Sequence, residues 1–78
     1  MTDVPVHGDW ITLGQMLKRL GLVVTGGQVP AFLAQQKVEV NGQPENRRGR
    51  KLHPGDEIRI GATTYRCVAE SGSDRAGT

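Results

Sequence analysis

The apolar positions of this chain change period once, near residue 37. Before that point they recur at helical spacing: Leu13, Met16, Leu17 and Leu20 stand at i, i+3, i+4 and i+7, a single stripe down one helix face. Thr12 and Gln15 fit a capping box at its start, in which each side chain satisfies a free backbone N–H of the first turn. Lys18 and Arg19 fall at the negative end of the helix dipole, and Gly21 supplies a left-handed stop. A second, shorter helix is predicted from Val29, Phe32 and Leu33. Pro30 lacks an N–H and fits only in a first turn, which places the cap at Gly26 or Gly27 and the end near Gln36.

Past Lys37 the period becomes two. Val38 and Val40 alternate with Glu39, and Asn41-Gly42 is the strongest short hairpin signal a sequence offers. Gln43-Pro44 resumes the strand briefly. Glu57-Ile58-Arg59-Ile60 and Thr64-Tyr65-Arg66-Cys67-Val68 alternate around Gly61-Ala62, which predicts a second hairpin. The fold class expected is therefore α+β, two short N-terminal helices packed on a small, mainly antiparallel sheet. Residues 1–9 show no periodicity and are expected to form a flexible N-terminal arm, with Val4 and Val6 as the positions able to dock. Residues 10–70 make up the domain. Residues 71–78, small and polar, are expected to be a disordered C-terminal tail.

Size narrows the chemistry. At 78 residues the chain is one small domain, and such a domain buries only about 60% of the surface its unfolded chain exposes. A thin core leaves little room for a deep active site. His7 and His53 lie far apart and share no ligand spacing with Cys67, and no nucleophile–base–orienter set can be assembled. We expect no enzyme activity, no metal and no cofactor. Cys67 reads as a small hydrophobe on a strand, and a single cysteine fits a reducing cytoplasm. No stretch approaches the roughly 18 apolar residues of a membrane span, so no membrane partner is expected. Three aromatics, Trp10, Phe32 and Tyr65, are too few for a stacking platform.

Charge brings in the feature with most functional content. Formal net charge is only +2, but residues 10–70 hold nine Lys and Arg against five Asp and Glu, a net of +4. Asn46-Arg47-Arg48-Gly49-Arg50-Lys51 packs four of the chain's ten basic residues into six positions. The run lies between two turn signals, Asn41-Gly42 and His53-Pro54-Gly55-Asp56. Arginine offers a planar fork for two phosphate oxygens and lysine a point charge, so a phosphate backbone is the leading partner; a solvated loop kept soluble by its charge is the bland alternative. Lys18, Arg19 and Lys37 lie off the apolar stripes and could join the loop in one positive face, although helix dipoles and ordinary surface charge explain them nearly as well. Gly26-Gly27 before a helix could present N–H groups to a phosphate, but without the GxGxxG or Walker pattern it signals nucleotide binding only weakly.

With these residues placed, the stretch Leu13 to Ile60 resembles the RNA-binding domain named after small-subunit ribosomal protein S-four. The matching elements are Leu13…Leu17, Gly21-Leu22-Val23, Val38-Glu39-Val40-Asn41-Gly42 and Pro54-Gly55-Asp56-Glu57-Ile58. Gly26-Gly27-Gln28, Val40-Asn41-Gly42 and Glu45 to Leu52 look like the small stand-alone bacterial subgroup of that family. The resemblance implies an alpha-L-like RNA-binding fold and a ribosome-associated module whose partner is structured RNA, ribosomal RNA or tRNA, with a ribosomal subunit as a further candidate partner; a non-enzymatic monomer is expected. Carried over residue by residue, it points to Gln15, Lys18, Gly27, Gln28 and the loop residues Asn46, Arg47, Arg48, Gly49, Arg50 and Lys51, with Lys37 as a further cation. The chain departs from many relatives by carrying Thr12 where they begin the first helix with Arg. It also has Gly26 and Pro30 where they have basic residues, which shifts weight onto the loop. The rival reading is a protein-interaction module that docks an acidic partner in a ribosome-associated complex.

Overall fold

The computed structural model describes residues 1–70. The chain runs β1 (Thr2–Val6), β2 (Ile11–Thr12), α1 (Leu13–Arg19), a 3-10 turn (Gly26–Gln28), α2 (Val29–Gln35), β3 (Val38–Val40), β4 (Gln43–Pro44), β5 (Lys51–Leu52), β6 (Glu57–Ile60) and β7 (Thr63–Ala69). Five strands form one sheet in the order β1-β7-β6-β3-β4, while β2 and β5 pair separately. The fold is α+β with a mixed sheet: every pairing is antiparallel except β1 on β7.

Both helices follow the signals in the sequence. Thr12 caps α1 in an extended conformation, its Oγ1 accepting from the Gln15 N–H at 3.1 Å while Gln15 Oε1 accepts from the Thr12 N–H at 2.9 Å. Leu13, Met16 and Leu17 are fully buried, and Leu20 packs half-buried at the end of the stripe. Gly21 takes the left-handed φ of +76°. The second helix opens as a 3-10 turn at Gly26 and becomes α-helical at Val29, with Pro30 in its first turn, where a missing N–H costs nothing.

Asn41 (φ 52°) and Gly42 (φ 82°) are both left-handed, as the tight hairpin between β3 and β4 requires. The Asn41 side chain also ties this turn to the next. Its Nδ2 donates to Asp56 Oδ1 at 3.0 Å, and its Oδ1 accepts from the Glu57 N–H at 2.9 Å. Asp56 in turn accepts from the His53 N–H at 2.8 Å. The two turns that flank the basic run are thus joined, which fixes the distance the run must span.

Three expectations are corrected. Residues 1–9 are not a loose arm throughout, because residues 2–6 form the edge strand β1. Val4 and Val6 alternate into the core at 2% and 1% exposure, and Pro5, lacking an N–H, sits between them where an edge strand tolerates it. The helices are consequently not N-terminal: two strands precede them. Lys51 is not a loop residue but half of β5, paired with Thr12. The expected tail, residues 71–78, lies outside the described residues.

The core joins both helices to the sheet through Val4, Val6, Ile11, Val23, Val29, Leu33, Val38, Val40, Leu52, Ile58, Ile60 and Cys67 around the α1 stripe. Burying one such side chain contributes about 1.5–3 kcal/mol. Cys67 is fully buried, and burial, with the Asp56 charge adding to it, pushes its thiol up to about 11, so it stays a protonated, inert core residue.

Candidate nucleic-acid interface

The basic run, residues 46–50, leaves the sheet edge after β4 and must return to β5, alongside the start of α1. Two backbone hydrogen bonds pin it there. The Leu13 N–H donates to the Arg50 carbonyl and the Gly14 N–H to the Arg48 carbonyl, both at 2.9 Å. These N–H groups belong to the first turn of α1 and have no partner within the helix. The loop therefore caps the helix, and the helix holds the loop. Gly14 lies close under the loop: a Cβ at that position would sit 3.5 Å from the Arg48 carbonyl oxygen and 3.7 Å from Val29 Cγ2, ordinary van der Waals contact that accommodates a methyl group.

At its other end the loop is held by Glu45. This residue is only 8% exposed, and it is the buried charged group among the described residues. Oε2 accepts from the Asn46 N–H (3.1 Å), the Arg47 N–H (3.0 Å) and Arg47 Nε (3.0 Å). Oε1 accepts from Arg47 Nη2 (3.1 Å) and Arg50 Nη1 (2.8 Å). The Arg47 guanidinium beside it outweighs the opposing effect of burial and, with the Arg47 N–H and Arg50, lowers the carboxyl from 4.5 to about 2. The same contact raises the Arg47 guanidinium above its ordinary value.

The four cations of the run therefore divide. Arg47 and Arg50 share one carboxylate, yet the Arg47 side chain remains 72% exposed and Arg50 33%. A guanidinium has five N–H donors, so each arginine keeps outward-facing donors after its bonds to Glu45. Lys51 Nζ lies 4.7 Å from the centroid of the Trp10 ring, and that indole is 42% exposed. Among the described residues no carboxylate comes within ion-pair distance of Arg48 or Lys18.

A groove of about 300 Å³ opens between the loop and the first turn of α1, lined by Thr12, Gly14, Gln15, Lys18, Gly26, Val29, Arg48 and Gly49. It brings together Gln15 and Lys18 from the helix with Arg48 and Gly49 from the loop. Gln15 has its Oε1 engaged in the cap, which leaves its amide N–H groups as donors. The other candidate positions fall elsewhere. Gly27 and Gln28 do not line this groove; Gln28 Oε1 accepts from the Val24 N–H at 2.6 Å and the Thr25 N–H at 3.2 Å, so the side chain shapes the entry to α2. Arg47, Arg50 and Lys51 share a second open groove with Gly49, His53 and Asp56. Asn46 and Lys37 line a third, and Lys37 stands 3.6 Å from Glu39. Arg19 is turned away and donates to the Pro5 carbonyl.

Glu45 anchors this arrangement and Gly14 and Trp10 border it, and none of the three was among the candidate site residues read from the sequence. A signal existed for two of them. Glu45 is the single acid directly before the run, and Gly14 is a poor helix former placed inside an otherwise regular first turn. Neither says what it touches.

Comparison with known proteins adds two findings. The family model of the S4 domain matches residues 4–68. A stretch of 57 residues is 44% identical to the "Probable ribosome maturation protein RlbA" of Bacillus subtilis (strain 168), covering 73% of this chain and 80% of that protein.

Proposed function

The chain belongs to the S4 domain family, and from that premise we propose that it is a non-enzymatic protein that binds structured RNA at the ribosome. The observation that carries the reading is the groove between the basic loop and α1, where Lys18 and Arg48 stand without carboxylate partners among the described residues, on a backbone fixed by two hydrogen bonds. Cations held at set positions suit a ligand whose phosphates are also at set positions. Folded RNA is such a ligand: A-form helices hide their base edges in a deep major groove, so backbone and shape dominate recognition.

The proposed contacts are Lys18, Gln15, Arg48 and Gly49 in the first groove, Arg47, Arg50 and Lys51 in the second, and Asn46 and Lys37 at the margin. Gly27 and Gln28 support the interface by shaping the turn beside it. The probable ribosome maturation role in the name of the B. subtilis relative supports ribosomal RNA over tRNA as the partner; the proposed setting is a ribosomal subunit in the cytoplasm, with the protein acting as a monomer. No helix among the described residues is long and apolar enough to cross a membrane.

The test is binding to folded ribosomal RNA across a salt series, together with co-sedimentation with ribosomal subunits. The four cations of the run, Arg47, Arg48, Arg50 and Lys51, each on a phosphate, contribute a slope of log K against log salt near −3, at roughly −0.7 to −0.9 per contact. A chain that neither binds the RNA nor sediments with subunits would return the loop to the rival reading, an acidic protein partner.

A further inference from the structure

We propose that Glu45 is a specificity-determining positioning residue, whose carboxylate sets Arg47 and Arg50 as a rigid pair that favours folded RNA over flexible polyanions. The inference rests on the RNA-binding reading and deepens it. On charge alone, an acid inside an anion-binding loop is a defect, since it offsets one of four cations and repels every phosphate that approaches. A loop serving only as a charged surface would leave that carboxylate in water. Here it is buried and accepts five hydrogen bonds, two from backbone N–H groups and three from arginine side chains. Arg47 is gripped along one edge of its fork, through Nε and Nη2, which orients the rest of a largely exposed guanidinium outward.

Fixing two long side chains in the free protein moves their ordering cost out of the binding step. That helps only when the ligand's phosphates are already at matching positions. A flexible strand can adapt to mobile arginines as well as to fixed ones, and for it the extra negative charge is merely unfavourable. Glu45 thus lowers attraction to polyanions in general and raises selectivity for a preformed one. The far end of the loop is fixed independently of Glu45, through the Arg48 and Arg50 carbonyls on α1.

The experiment compares the full chain with Glu45→Gln against two probes, folded ribosomal RNA and poly(U), by filter binding, with a thermal melt of each protein. Gln is nearly isosteric, raises the net charge by one and breaks the paired grip on Arg47. Affinity for folded ribosomal RNA is expected to fall about five-fold or more, the scale of losing one charge-assisted bond, while affinity for poly(U) holds or rises. A rise for both probes would make Glu45 only a charge, and a parallel fall for both only a structural residue; either overturns the proposal. Should Glu45→Gln fail to fold, Arg47→Lys with Arg50→Lys keeps the charge but loses the fork, and the same selective loss is expected; equal affinities for both probes would overturn it. A wild-type chain that binds neither probe overturns the RNA reading itself, and is distinguishable because no variant enters that result.

Discussion

The basic loop and the outer margin of the sheet carry comparable numbers of cations, but they hold them differently. Around the sheet, Lys37 lies 3.6 Å from Glu39, Arg66 lies 3.9 Å from Glu57, and Arg59 Nε donates to the Gly61 carbonyl at 3.2 Å. These are exposed pairs, each worth about 0–1 kcal/mol and free to re-form with water or salt. In the loop, Arg47 and Arg50 close on a buried carboxylate, while Arg48, with no carboxylate within ion-pair distance among the described residues, stands on a backbone pinned to α1. Charge density is thus a poor measure of a binding face. The informative difference is whether cation positions are set before a ligand arrives.

The largest expected effect is on the clamp. Arg50→Ala leaves the buried Glu45 carboxylate short of its closest charged partner and should lower stability by about 2 kcal/mol, measured from the urea midpoint. Arg66→Ala, on the sheet margin, should change it by less than about 0.5 kcal/mol. Equal effects would erase the distinction between the two regions. Acid provides a second view of the same clamp. The Glu45 carboxyl titrates near 4.5 when unfolded and near 2 when folded; a lowered folded value means its contribution is complete above pH 4.5 and is lost as pH falls toward 2. Acid unfolding of Glu45→Gln should therefore be shallower than that of the wild type between those limits. Smaller still is the effect of Lys18→Glu, which reverses one cation lining the first groove and should weaken binding to folded ribosomal RNA several-fold. Arg66→Glu should leave that affinity within about two-fold, and a larger loss would extend the interface onto the sheet. The smallest signal is optical: RNA that reaches Lys51 should quench the fluorescence of Trp10, the chain's sole tryptophan.

The parts of the fold that were legible in the sequence are those specified by near neighbours. The α1 stripe with its Thr12–Gln15 cap, the Asn41-Gly42 turn and the hairpin around Gly61 all follow from residues a few positions apart. β1 was not legible, since its partner β7 begins some sixty residues later and Pro5 breaks the pattern of a regular strand. The two-residue pairing of β2 with β5 is too short to leave a period. At the site, sequence gave the cluster of charge but not its division. That Glu45 is buried depends on where β4 ends, with the Glu45 N–H donating to the Val38 carbonyl at 2.9 Å, a contact across the hairpin that no local pattern encodes. Gln28 shows the converse: its side chain is engaged by the Val24 and Thr25 N–H groups, which sequence proximity to a candidate surface could not reveal.

The division of the loop also decides which substitution tests the account cleanly. Changing Arg47 or Arg50 disturbs Glu45, so any loss of binding mixes contact with structure. Arg48 lines the groove beside Lys18, has no carboxylate partner among the described residues, and pins the loop only through its backbone carbonyl. The most direct measurement is therefore the affinity of Arg48→Glu for folded ribosomal RNA by filter binding, beside a thermal melt. A loss of roughly ten-fold or more is expected, with an unchanged melting temperature. Wild-type affinity in a folded Arg48→Glu protein would contradict it.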